Sequence, residues 1–182
     1  MIESWDMLKP DTDWYWYVDK QEQKLCISLN AQMCFVSPYS VNNICQAKAD
    51  KQAFSIADLD HYTELAECLQ QAGLSLSGAE LSQILLNATA AIAFHKPLAA
   101  KSWYFQVQAN QGIYHRLASM HNDCDAGLFL VLFQESLTAT CMLLSPSMQL
   151  DIGKTLKQFS LIKVMSDRLQ PYLPQIQQKK SA

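Results

Sequence analysis

The chain has 182 residues, 49% of them hydrophobic, and a formal net charge of −3 at pH 7. That length and apolar content suit one domain or two small ones with a real core and exclude a disordered tail, while the acidic balance argues against a general nucleic-acid binder, whose surface is basic. Six cysteines without a CxxC pair, a start without the charged-then-apolar pattern of a leader, and no apolar run of bilayer length point to free thiols in a reducing cytoplasm and to no membrane insertion.

The opening reads as an antiparallel meander. Trp14-Tyr15-Trp16-Tyr17-Val18 and Leu25-Cys26-Ile27-Ser28-Leu29 are β-prone runs joined by a polar link, and a third run, Met33-Cys34-Phe35-Val36, ends at Ser37-Pro38. Residues 41–52 lack periodicity and read as a long loop, with an isolated helical turn as the alternative. Ser55 or Asp58 then caps a helix through Gln71, with Leu59, Tyr62, Leu65, Ala66 and Leu69 on one stripe and Gly73 as its stop. Ser77, three residues before Glu80, opens a second helix carrying Leu81, Ile84, Leu85, Ala88, Ile92 and Phe94.

At Pro97 the pattern breaks. Beyond it Trp103–Gln108, Gly112–Leu117, Leu128–Phe133 and Ala139–Leu144 read as strands, which makes the rest of the chain a β-rich unit in the form of a curved sheet or small barrel. Residues 161–169 fit either a helix or another strand, and residues 175–182 read as a tail. The expected fold is therefore α+β: an N-terminal α/β region (1–98) with a meander and two helices, then a C-terminal barrel-like region (99–182).

Charge is uneven along the chain. Residues 1–80 hold twelve carboxylates against five lysines, a net −7, whereas residues 81–182 hold nine basic groups against five carboxylates, a net +4. Lys96 and Lys101 flank the Pro97 joint, with Trp103 close behind, and two cations beside an indole suit an acidic, partly apolar partner. Catalytic signatures are missing: there is no GxSxG, HExxH or Gly-rich phosphate loop, and the His115, His121, Asp123, Cys124 and Asp125 group fits no established zinc spacing. No enzyme activity, metal or cofactor is expected.

Three segments resemble the ZapC family, the Z-ring-associated cell-division proteins of gammaproteobacteria: Lys9-Pro10-Asp11-Thr12-Asp13-Trp14-Tyr15-Trp16-Tyr17, Leu86-Asn87-Ala88 through Lys96-Pro97 to Lys101-Ser102-Trp103, and Met148-Gln149-Leu150 with Ile162 to Pro171. The resemblance implies a monomeric, non-enzymatic cytoplasmic protein recruited to the mid-cell Z ring. There it would bind FtsZ, the bacterial tubulin-like GTPase, bundle its protofilaments laterally and lower GTP turnover indirectly. It also implies a partner-binding pocket in the N-terminal region that holds Lys96 and Lys101, lined by Ile27 and Phe54. Trp103, Lys163 and Arg168 are secondary candidates; the last two, five residues apart, share a face on neither a helix nor a strand. Arg168 is also placed to pair near Asp167 or cap the sheet. A reading from another class is a β-barrel module that holds a small apolar ligand in an aromatic-lined cavity.

Overall fold

The computed structural model describes residues 6–45, 50–109 and 116–173. The expected strand at 112–117 lies outside these residues up to position 115, as does the expected tail.

The N-terminal region is a sheet covered by two helices. Strands β1 (Tyr15–Asp19), β2 (Lys24–Asn30) and β3 (Met33–Ser40) form the meander, and the two-residue β4 (Gln52–Ala53) pairs with β1, giving the order β3-β2-β1-β4. Alternation sets the faces: Trp16 lies opposite Ile27 with both side chains in the core, while Tyr15, Tyr17 and Ser28 turn outward. β3 runs on through Pro38 instead of stopping there. It is an edge strand whose register shifts at this point, and the Ser37 hydroxyl donates at 2.7 Å to the Leu25 carbonyl that the interrupted ladder leaves open.

Helices α1 (Ile56–Gln71) and α2 (Gly78–Phe94) both begin with reciprocal capping boxes, Ser55 with Asp58 and Ser77 with Glu80. Asp58 does more than cap: its Oδ2 accepts from the Ser55 N–H at 2.8 Å and from the buried Trp16 indole N–H at 3.1 Å. The first turn of α1 therefore faces inward at Asp58, and Leu59, expected on the buried stripe, is 42% exposed. The described part of the loop before α1 is only partly irregular. It contains a 3-10 turn at Val41–Asn43, and Ile44 is buried where it bridges His95.

The expected strand at Trp103–Gln108 is replaced by a 3-10 turn, Ser102–Tyr104. Strands β5 (Leu117–His121), β6 (Ala126–Gln134), β7 (Thr138–Leu143), β10 (Leu161–Met165) and β11 (Gln170–Pro171) form an open sheet in the order β10-β7-β6-β5-β11. A separate hairpin, β8 (Ser147–Asp151) with β9 (Lys154–Lys157), lies outside that order. The barrel expectation is corrected accordingly: β10 and β11 are opposite edges and do not pair, so the sheet does not close. The ambiguous stretch at 161–169 is a strand followed by a 3-10 turn at Ser166–Arg168.

Two cores follow from the two faces of this sheet. Leu117, Leu130, Leu132 and Met142 point toward the N-terminal region and join Trp16, Ile27, Leu65 and Leu85 in one continuous cluster. The opposite face is filled by Phe105, Met120, Phe129, Cys141, Met148 and Leu150, so the side chains of the protein itself occupy the space where a ligand barrel would have its cavity. The seam between the regions also carries a buried hydrogen bond, the Tyr39 hydroxyl donating to the Phe159 carbonyl at 2.9 Å. Burial pushes the Tyr39 phenol well above its ordinary pKa, which keeps it a donor.

Candidate functional site

The chain leaves α2 and crosses to the C-terminal sheet through residues 95–101. Two main-chain bonds fix the ends of this crossing: the Lys96 N–H donates to Asn43 O at 2.9 Å and the Lys101 N–H to Lys163 O at 2.8 Å. Ala100 makes a parallel bridge to Lys163, so the crossing lies along the free side of the edge strand β10. Pro97, which has no N–H to donate, sits between the two anchors, with Leu98 beside it.

Two open grooves adjoin this crossing. The smaller, about 220 Å³, is lined by Lys96, Leu98, Phe133, Glu135 and Lys163. The larger, about 320 Å³, is lined by Lys101, Tyr104 and Lys154, with Leu98, Leu150 and Leu156 beneath. Pro97, Leu98, Leu161 and Lys163 belong to both. Lys96 and Lys101 thus face different grooves: the smaller joins the end of α2 to the C-terminal sheet, whereas the larger is lined by residues 97–163 alone.

The local electrostatics differ between the two. In the smaller groove Lys163 Nζ lies 3.0 Å from Glu135 Oε2. That hydrogen bond, with a second from the Thr138 hydroxyl, holds the Glu135 carboxyl below the usual range. Lys96 Nζ donates to the Asn42 carbonyl at 2.9 Å, tying the lysine to the loop it packs against. In the larger groove Lys154 Nζ donates to the Tyr104 hydroxyl at 2.6 Å and lies 4.9 Å from the centre of its ring. The lysine stabilises the phenolate form, so the Tyr104 pKa is lowered.

The remaining expected site residues lie elsewhere. Ile27 is 0% exposed in the main core, and Phe54 is half-buried among Trp14, Trp16 and Tyr62; neither lines either of the two lysine grooves. Trp14 and Trp16 are core residues, but Trp103 is 70% exposed and stacks obliquely on Tyr104 with ring centres 5.5 Å apart. Arg168 turns inward. Its Nε donates to the Ser102 carbonyl at 3.2 Å and its Nη1 lies 3.4 Å from Asp167, so it fixes the turn that presents Trp103.

Lys154, Tyr104, Glu135 and Phe133 were not anticipated. The one sequence signal for Lys154 is the Asp151-Ile152-Gly153-Lys154 turn, where Gly153 adopts φ +74° and allows the hairpin to fold back. Among the described residues there is no cluster of three or more His, Cys, Asp or Glu side chains that could hold a metal. No helix among them is long and apolar enough to cross a membrane.

These features define an α+β protein with a basic, apolar-floored seam at the junction of its two halves. The family described as cell-division protein ZapC, N-terminal, matches residues 7–96, and that described as cell-division protein ZapC, C-terminal, matches residues 97–175. The chain belongs to the ZapC family of cell-division proteins. Among similar proteins, "Cell division protein ZapC" of Pseudoalteromonas atlantica is 42% identical over 174 residues, covering 93% of this chain and 97% of the relative. Proteins of the same name from Ferrimonas balearica (34% over 166 residues, 90% and 92% covered) and Tolumonas auensis (31% over 169 residues, 91% and 93% covered) are also similar.

Proposed function

We propose that the protein binds FtsZ, joins neighbouring protofilaments laterally and so stabilises the Z ring, with any fall in GTP turnover a consequence of assembly. In this reading it is a monomeric, non-enzymatic cytoplasmic adaptor recruited to mid-cell, with residues 1–98 and 99–182 as its two regions. Membership of a cell-division family supports the division role. The observation that carries the contact is the solvent-facing seam around Pro97 and Leu98, where lysines rim apolar grooves. An acidic protein surface would gain about 1–2 kcal/mol of screened, salt-sensitive attraction from a pair such as Lys96 and Lys101. Bundling by a monomer requires either a second contact or a filament altered so that filaments attract one another, and the oppositely charged halves of the chain favour a second contact.

The test is sedimentation of purified FtsZ with GTP, with and without the protein, with lateral bundles counted by electron microscopy. Co-pelleting with bundles is expected, weakening as salt rises and lost in a Lys96→Glu/Lys101→Glu variant that keeps the wild-type unfolding transition. Bundling by that folded variant at low salt would remove these lysines from the site, and no binding at any salt concentration would refute the function.

A further inference from the structure

The larger groove has a charge pattern that its neighbour lacks. Lys101, Lys154 and Lys163 line it and no carboxylate does. Lys163 has its counter-ion, Glu135, in the other groove, whereas neither Lys101 nor Lys154 is ion-paired among the described residues. The hydrogen-bond partner of Lys154 is instead a phenol, which holds the ammonium in place without neutralising it. Next to that phenol the Trp103 indole is largely bare, although tryptophan ordinarily loses most of its surface on folding. Uncompensated cations, an aromatic wall and a leucine floor form the half of a contact that the protein can supply. The missing half is carboxylates flanking an apolar side chain.

We propose that this groove seats an extended acidic segment of the partner, with its carboxylates on Lys101 and Lys154, an apolar side chain between Leu98, Leu150 and Leu156, and its backbone against Trp103 and Tyr104. The partner's identity rests on the function proposed above; the chemistry of the seat does not. About 320 Å³ accommodates an inserted side chain but not the body of a helix, roughly 10–12 Å across, and an extended stretch delivers one side chain inward while presenting charges on either side. Lys154 then becomes a partner-binding residue contributed by the C-terminal hairpin. Its tether to Tyr104 reduces the side-chain freedom that binding would otherwise remove. Trp103 and Tyr104 are of the residue types that concentrate binding energy at interfaces.

Two readouts on the full chain test this. The first is fluorescence anisotropy with a short labelled peptide of alternating Glu and Leu, alongside the same peptide with Gln for Glu, across a salt series. Wild-type protein is expected to bind the Glu peptide in preference to the Gln peptide, and Lys154→Glu to weaken that binding about tenfold. Lys157→Glu, which makes the same change of net charge on the same hairpin but outside the groove, is expected to leave it intact. Equal loss in Lys157→Glu, or equal binding of the Gln peptide, would overturn the proposal in favour of a diffuse charge effect. The second readout is FtsZ co-sedimentation with the same variants, in which Lys154→Glu alone should lower binding. Peptide binding without FtsZ binding would sink the proposed function and leave the seat standing; FtsZ binding without peptide binding would do the reverse.

Discussion

The two halves of the molecule manage their sheets in opposite ways. The N-terminal sheet buries one face under α1 and α2 and leaves Tyr15, Tyr17 and Val36 on the other, so it can be completed by its own helices. Among the described residues the C-terminal sheet is apolar on both faces and has no α-helix of its own: one face is closed by the β8–β9 hairpin and Phe105, the other packs against the N-terminal region. The dependence is therefore one-sided, and the joint between the halves is both a structural interface and the place where the lysine grooves open.

The largest expected effect comes from breaking that shared face. Leu130, fully buried in the cluster that spans both halves, should cost about 3 kcal/mol on truncation to alanine. Because the cluster is common, denaturant unfolding of the variant should remain a single transition by tryptophan fluorescence and by far-ultraviolet circular dichroism. Two separated transitions would mean that the halves are independent. A smaller effect is expected at the seam. Tyr39→Phe leaves the buried Phe159 carbonyl without its donor and should lower stability by about 1–2 kcal/mol, while the helices keep their circular dichroism.

The smallest effect sharpens the contrast by acting on the N-terminal half alone. The backbone N–H and hydroxyl of Ser77 both donate to Glu80, which lowers the Glu80 pKa in the folded protein. A depressed carboxyl contributes stability that is present above the unfolded-state pKa and is lost as pH falls through the folded-state value. Melting temperature should therefore fall less on acidification in Glu80→Gln than in the wild type. Identical slopes would show that this capping box has no weight in the acid limb.

What could be read in advance follows from how local each signal is. The cap at Ser55, the capping box at Ser77 and the β-prone runs around Trp16 and Ile27 are encoded within a few residues, and the elements appear there. Trp103-Tyr104-Phe105 imitates a strand by composition, yet its backbone is held by the 3-10 turn and by Arg168, a partner more than sixty residues away. The β8–β9 hairpin is too short and polar to announce itself, so Lys154 could not be placed beside Tyr104 without the fold. Lys96 and Lys101 were recognisable as a pair from the joint they flank, but their assignment to two different grooves leaves no trace in spacing.

The bulge at Pro38 bears on solubility. From Met33 to Ser40 the outermost strand of the N-terminal sheet carries no charge, and Met33 and Val36 are exposed, the profile of an edge onto which a second molecule can zip. A register shift and a residue with no N–H interrupt that edge partway along, so an incoming strand meets a bent template with a missing donor. A protein proposed to gather filaments side by side thus has, at its most adhesive margin, a built-in obstacle to gathering copies of itself.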